Sequence, residues 1–403
     1  MTRVKILLAN KFFFLKGGSE KVFFQERSFL FSQGYRVIDF SMEDPRNLPS
    51  EHAPYFVSNI DYERPIGTWE KVKQSAEFIR SREAIGKIEE IVERERPEIA
   101  HLHNIYHQLS PSIIPVLKSR GVKVVLTVHD GKLICPSYLM LRDGEVCTAC
   151  RGRYFWKIVT RRCQSSPMKG FLLMLEGYWH AWKETYQLVD LFLAPSEFIA
   201  ELISERIPED RIQLLRNGIN LADFNPSCQD DGYVLYFGRL SKEKGIETLL
   251  KAQQSMRNCP PLRVVGTGPM EDALRRKYLD AQFLGYKDGK ELNEIIGKAA
   301  FVVVPSEWNE NCSMVILEAM AMGKAVIASA IGGIPEQIED GVTGFLFQTG
   351  SIAQLSKKME ILTANSELRK EMGKAARKKA EREFSLERHN ADLLAIYHSV
   401  LQH

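Results

Sequence analysis

What this chain of 403 residues lacks narrows its identity first. No stretch approaches 18 consecutive apolar residues, so no membrane-spanning helix is expected. The opening MTRVKILLAN passes straight into a strand-like run, without the apolar core and small-residue cleavage site of a secretion signal. A cytoplasmic location is therefore expected, with contact at most to the inner face of a membrane. Net charge is nearly absent, because 54 Lys and Arg face 51 Asp and Glu to leave +3. That removes a global electrostatic case for nucleic acid and leaves only local patches to consider. No Asp-x-Asp pair ends a strand, so the usual acidic clamp for a magnesium-bound diphosphate is missing. Cysteine is scarce at seven residues, expected to be reduced or metal-bound and not paired.

What is present is enough length and apolar content (44%) for two cores, since single cores rarely grow past about 250 to 300 residues. Short apolar runs alternate with helical periodicity: VKILLAN, a helix near 19–33, YRVIDFS, a helix at about 70–95, EIAHLHN, KVVLTVHD, LFLAPS and RIQLLRN. After the polar stretch NPSCQDDG the pattern restarts with YVLYFGR, LRVVG, AQFLG, FVVVPS, KAVIAS and GFLF. This predicts an α/β protein of two tandem Rossmann-like, doubly wound parallel-sheet domains facing across a cleft. The boundaries expected are 1–224, a linker at 225–231, 232–384, and a last helix at 385–403 packing back on the first domain. Helices are expected at 352–363, 366–383 and 386–401. Ligands in such sheets bind beyond the carboxyl ends of the strands.

Residues 305–322, PSEWNENCSMVILEAMAM, place Glu310 in a polar loop and Glu318 inside a helix beginning near Ser313. The first free N–H groups of that helix, at Ser313, Met314 and Val315, would favour a phosphate. Glu318 would sit about 7 to 8 Å further along the axis, a reach suited to ribose hydroxyls. Any glutamate near a helix start also complements the dipole, which is the plainer explanation. GRLSKEKG (238–245) follows a strand and puts Arg239 and Lys244 where a diphosphate could be clamped. Gly266 and Gly268 follow the next strand, in a turn that needs glycine whatever it binds.

GRLSKEKG, VVGTGP and the segment PSEWNENCSMVILEAMAMGKAVIASAIGGIPEQIEDGVTGFLF resemble the nucleotide-sugar domain of family-four retaining glycosyltransferases of the B-type fold. The amino half agrees in order, with LKGGSEKVF, EIAHLHN, TVHD, LFLAPSEF and RNGIN, so the resemblance spans nearly the whole chain. It implies a metal-independent transfer from a UDP- or GDP-linked sugar to a glycan or lipid-linked glycan in surface polysaccharide assembly. It implies Arg239 and Lys244 on the diphosphate, Glu310 on the donor sugar, the amides of Ser313, Met314 and Val315 on phosphate, and Glu318 on ribose. Gly238, Gly266, Gly268 and Asn311 fall on the donor side. His129 is implied to contact the donor sugar near the reacting carbon, making Glu310 and His129 the catalytic pair. Gly17, Gly18, His103, Asn104 and Asp130 fall on the acceptor side. The chain departs from the family's Glu-Gly-Phe-Gly, having Glu310, Asn311, Cys312 and Ser313, so the donor sugar stays open.

A cysteine-rich insertion at about 131–183 belongs to a narrower branch. Cys135, Cys147, Cys150 and Cys163 have the spacing for a structural zinc site of four thiolates, or are reduced cysteines in a loop. From 151 to 183 basic and aromatic residues interleave, with Glu176 the sole acid. The segment reads as a surface for anionic lipid headgroups, aided by Phe12, Phe13 and Phe14, or as a helix whose aromatics pack inward. Two rival functions fit parts of the chain: a sugar-nucleotide epimerase on the same scaffold, and a zinc-stabilised nucleic-acid binder. The first lacks support from the Glu310 to Glu318 segment, and the second from nearly all the rest.

Overall fold

The computed structural model describes residues 4–59, 75–142, 145–164, 166–227, 229–258 and 260–402. The first sheet contains β1 (Lys5–Ala9), β2 (Arg36–Phe40), β3 (Ile99–Leu102), β4 (Lys123–Thr127), β7 (Leu191–Ala194) and β8 (Ile212–Leu214), in the order β2-β1-β3-β4-β7-β8. Between β4 and β7 a short antiparallel hairpin, β5 (Leu141–Arg142) and β6 (Glu145–Val146), opens the cysteine-rich insertion. The second sheet contains β9 (Val234–Phe237), β10 (Leu262–Val265), β11 (Gln282–Gly285), β12 (Phe301–Val304), β13 (Val326–Ser329) and β14 (Gly344–Phe347), in the order β11-β10-β9-β12-β13-β14. Every pairing in the two sheets is parallel. The central strands are mostly apolar because helices cover both faces; Ile6 to Ala9 and Phe301 to Val303 are fully buried.

Strand order reverses between β1 and β3 in one sheet and between β9 and β12 in the other. Crevices open at these switch points because successive connections leave toward opposite faces. The loops after these strands therefore carry Asn10 to Lys16 and His103 on one side, and Gly238 to Lys244 and Pro305 to Glu310 on the other.

Five helices position the site: α1 (Gly18–Ser32) after β1, α2 (Pro167–Trp182) in the insertion, α3 (Glu197–Ser204) after β7, α4 (Met314–Ala321) after β12, and the last helix α5 (Leu386–Gln402). Of the helix expected at 70–95, residues 75–79 are helical and, after a break at Arg80 and Ser81, the helix continues as Arg82–Glu95, started by Ser81, whose side chain accepts from Ala84 N–H. Residues 70–74 of that expectation lie outside the described residues. The expected carboxyl-terminal helices are observed at Ile352–Ala364, Ser366–Glu383 and α5.

The chain crosses back to the first domain where Ile219 N–H donates to Phe384 O and Leu386 N–H to Ile219 O. Leu393, Ile396, Tyr397 and Val400 of α5 then pack with Ile6, Leu8, Phe23 and Val125 in one core. At about 25 cal/mol per Å² of apolar surface, four such side chains are worth several kcal/mol, enough to hold α5 against the first sheet. Among the described residues no helix is long and apolar enough to cross a membrane.

Candidate active site

The two switch points face one another across a cleft of about 3190 Å³. A single small-molecule pocket is about 300 to 1,000 Å³, so the cleft has room for a nucleotide-bound sugar and part of a second substrate. Its second-domain wall includes Gly238, Arg239, Lys244, Gly266, Gly268, Glu310, Ser313, Met314, Val315 and Glu318. Its first-domain wall includes Lys11, Lys16, Gly17, Gly18, Asn104 and Asp130.

Glu310 is buried, and its Oε1 accepts from Lys244 Nζ at 2.6 Å and from Ser306 Oγ at 2.7 Å. Burial works against its charge, but the Lys244 ammonium and these hydrogen bonds hold the carboxyl below the usual range, so it is ionised at neutral pH. Arg239 is exposed on the cleft wall; its carbonyl oxygen accepts from Tyr236 Oη at 2.8 Å, while its guanidinium has no ion pair or hydrogen bond among the described residues. A guanidinium left without a carboxylate beside a cleft is a ready clamp for a phosphate.

Gly266 has φ 125°, and a Cβ there would lie 1.9 Å from Gly238 O; a Cβ on Gly268 would lie 2.4 Å from Leu240 O. These two glycines are required by the contact of two loops, independent of any ligand.

The mouth of α4 differs from the sequence expectation. Ser313 N–H donates to Gln337 Oε1 at 2.8 Å, and Gln337 Nε2 returns a bond to Ser313 O at 3.1 Å. That amide is therefore occupied, and Met314 and Val315 are left to present amides toward the cleft. Glu318 is held by Lys21 of α1 at 2.5 Å, an ion pair bridging the two domains at the place expected for ribose.

Two further expectations, for Asn311 and His103, are corrected by burial and partner geometry. Asn311 does not line the cleft; its Nδ2 donates to Val128 O at 2.9 Å and its Oδ1 accepts from Ser196 Oγ at 2.6 Å, so its side chain fastens one domain to the other. His103 is buried and absent from the cleft wall, with Nδ1 2.9 Å from His129 Nε2. His129 is half-buried beside the cleft-lining Asp130, stacked on His103 with ring centroids 5.2 Å apart. Burial pushes His129 down to about 3, so its ring is neutral. Asp130 does face the cleft and accepts from Lys132 N–H at 2.9 Å, with burial raising its carboxyl to about 6.

Several residues the sequence reading did not single out shape this site. Glu336 accepts from Glu197 and Phe198 N–H, both at 2.9 Å, capping α3 of the other domain. Gly333 N–H donates to Glu310 O at 2.7 Å and seats the glutamate loop. The GGIPEQ run at 332–337, noted only as part of the resemblance, carried the signal for Gly333, Glu336 and Gln337. No local signal marked Lys21, because its partner is 297 residues away.

In the insertion, Cys135 Sγ lies 3.1 Å from Ser137 Oγ, and interaction with Cys150 draws the Cys135 thiol down to about 6. Cys163 lies within electrostatic reach of Cys135 and Cys147. Among the described residues, the one group of three metal-type ligand atoms all within 4.8 Å of one another is Glu26, His101 and His103. The four insertion thiols are not such a group, so their donor chemistry suits zinc but their placement does not gather them into a tetrahedral site. Of the aromatics in this segment, Phe155 packs inward, whereas Tyr154, Trp156, Phe171, Tyr178 and Trp182 are exposed. Phe13 and Phe14 are buried core residues and offer nothing to a membrane, correcting that part of the expectation.

Comparison with known proteins agrees with this architecture. Residues 16–223 match the family described as Glycosyltransferase Family 4, and residues 221–379 the one described as Glycosyl transferases group 1. The chain is similar to "Sulfoquinovosyl transferase SQD2" of Arabidopsis thaliana, 29% identical over 238 residues, which cover 54% of this chain and 46% of that protein. The match thus spans about half the length of that relative. Among solved structures, a sucrose-phosphate synthase from Thermosynechococcus elongatus superposes with TM-score 0.75 at 20% identity, covering 99% of this chain and 100% of that one. The Anabaena HepE protein in complex with UDP superposes with TM-score 0.69 at 15% identity, covering 98% and 100%. With the first domain matched over more than half of the chain and the second over most of the remainder, the protein belongs to Glycosyltransferase Family 4 and has the two-domain GT-B fold.

Proposed function

We propose that this glycosyltransferase moves a sugar, with retained anomeric configuration, from a UDP-linked donor to a hydroxyl of a glycan carried on an anionic lipid. The observation that carries the reading is the convergence of Arg239, Lys244, Glu310 and the Met314 and Val315 amides on one wall of the interdomain cleft. The leaving diphosphate gains negative charge as it departs, and fixed cations and amides stabilise it without reorganising. The bond from the anomeric carbon to the phosphate oxygen breaks while the acceptor oxygen bonds on the same face, and the acceptor proton passes to the departing phosphate oxygen. Glu310 and His129 orient the sugar during this exchange. The choice of uridine is supported by the UDP-bound structural neighbour. Incubation with a panel of UDP-, GDP- and ADP-sugars, followed by NMR of the product's anomeric centre, tests the reading; an inverted product or no turnover with any donor overturns it.

The acceptor side supports the anionic lipid carrier. Lys11, Lys16 and Lys169 line the cleft together with Phe12, Leu15, Met168 and Phe171. Burial, then the charges of Lys16, Lys132 and Lys169, draw Lys11 down to about 8, with Glu176 opposing. Lys11 is therefore charged below pH 8 and loses its proton as pH rises through it. KM for a phosphate-bearing acceptor is expected to rise between about pH 7 and 9, by about three- to tenfold for the loss of one exposed-side charge contact. A neutral acceptor should show no such rise, and an equal rise for both would remove Lys11 from acceptor binding. The outward aromatics of α2, with Lys157, Lys169 and Lys183, are the face proposed to rest on an anionic bilayer.

We further propose that Cys135, Cys147, Cys150 and Cys163 hold one structural zinc, which would constrain the insertion beside Asp130 and take no part in the transfer. Elemental analysis should find about one zinc per chain, and Cys150→Ser should release it and lower Tm, since structural zinc contributes folding free energy directly. Zinc content unchanged by Cys150→Ser would exclude this site.

A further inference from the structure

Behind the acceptor wall lies a polar cluster built around one carboxylate. Glu26 of α1 is fully buried, and no lysine or arginine reaches it among the ion pairs described. Its Oε1 lies 3.1 Å from His389 Nε2, and its Oε2 lies 3.3 Å from both His101 Nδ1 and His103 Nε2. An isolated buried carboxylate is costly, so at least one of these rings must carry a compensating proton.

Geometry says which. Both nitrogens of His389 face acceptors: Nε2 faces Glu26, and Nδ1 lies 2.7 Å from the carbonyl oxygen of Arg216. A carbonyl oxygen only accepts, so His389 must donate from both nitrogens and is the imidazolium. Its contact with Glu26 outweighs burial and raises its pKa, in agreement. The carboxylate is thereby balanced, and the remaining rings need no charge. His101 is accommodated by two adaptable hydroxyls, Tyr397 Oη at 2.7 Å from Nδ1 and Thr127 Oγ1 at 2.7 Å from Nε2.

His103 has no such freedom. Its Nε2 lies 3.3 Å from Glu26 Oε2, which is equally close to His101 Nδ1, and neither His103 Nε2 nor Glu26 Oε2 meets hydrogen-bond geometry with any other described group, so a lone pair on Nε2 would face the carboxylate directly. The carboxylate can only accept, so His103 carries its single hydrogen on Nε2. Its Nδ1 is then a bare lone pair 2.9 Å from His129 Nε2, and His129 must supply the hydrogen between them. This leaves Nδ1 of His129 as an acceptor. We propose that Glu26 is a positioning residue for the transfer reaction: through His103 it sets the tautomer and ring orientation of His129, and through His389 it ties that setting to the docking of α5. The proposal rests on His129 serving the donor sugar as above, where an acceptor nitrogen would take a hydrogen bond from a sugar hydroxyl. Val128 O, next to His129, receives the Asn311 amide adjoining Glu310, which places the histidine beside the glutamate loop.

The test is made on the full chain with ¹⁵N-labelled histidine. NMR of the imidazole nitrogens should show wild-type His129 protonated on Nε2 and not on Nδ1, with its resonances identified by their loss in His129→Ala. In Glu26→Gln the side-chain amide can donate to His103 Nε2, and His129 should shift toward the Nδ1–H form. Turnover should fall about tenfold or more through kcat, as expected for a wrong histidine tautomer, while UDP affinity and donor KM stay within about twofold. Wild-type His129 already in the Nδ1–H form would overturn the proposal without any variant. So would a stoichiometric metal bound by Glu26, His101 and His103. If His129→Ala keeps full turnover, it is the role of His129 that fails, whatever its tautomer.

Discussion

Glu310→Gln is expected to reduce turnover by about 100-fold or more while leaving UDP affinity unchanged or slightly improved. The loss corresponds to about 2.7 kcal/mol of barrier, the size seen when one preorganised electrostatic group is removed from a closed site. Glutamine matches the shape of glutamate and keeps a carbonyl for Ser306, so the loop seated by Gly333 should hold. What disappears is the charge that pins Lys244 at 2.6 Å. The freed ammonium, on a flexible stem already beside the cleft, can turn toward a diphosphate, which is why nucleotide binding should not suffer. Steady-state kinetics with a donor sugar and calorimetry with UDP check both halves. Turnover and UDP affinity falling together would mean that Glu310 supports the nucleotide site structurally and has no role at the sugar.

Arg239→Ala should give the opposite division. Donor KM and the UDP dissociation constant should each rise about 10- to 100-fold, matching about 1.5 to 3 kcal/mol for a hydrogen-bonded charge contact. Thermal stability should stay within about 1 °C, since surface substitutions away from structural contacts usually shift stability by less than about 0.5 kcal/mol. Arg239→Lys should recover only part of the affinity, because the ammonium lacks the planar fork that meets two phosphate oxygens. The salt dependence of UDP binding should flatten in Arg239→Ala, as one screened charge contact is removed. A variant that loses stability but binds UDP normally would take Arg239 out of the donor site.

Both predictions concern residues that could be picked out from the sequence, because each sits at the end of an apolar strand run and within a few positions of its neighbours in function. The two doubly wound parallel sheets, the cleft and the placement of Gly238, Arg239, Lys244, Glu310 and Glu318 on one wall followed from βα alternation and loop position, which are local properties. The same locality misled at Ser313, whose amide looked free until Gln337, 24 residues on, closed over it. It misled also at Asn311, whose side chain is taken up by Val128 and Ser196 of the other domain.

Taken alone, then, the chain determined two Rossmann-like halves and a set of charged loop residues at the strand ends of the second. Those outcomes depend on hydrophobic periodicity and on which residues follow a strand, and both are written in contiguous sequence. Only the tertiary structure decided which aromatics of the insertion face outward, that Lys21 meets Glu318, and that Glu26 collects three histidines from β3, its following loop and α5. Those pairings join residues as far as 363 positions apart. Their partners are chosen by how helices pack on the sheets, and a buried charge takes its state from whatever that packing sets beside it.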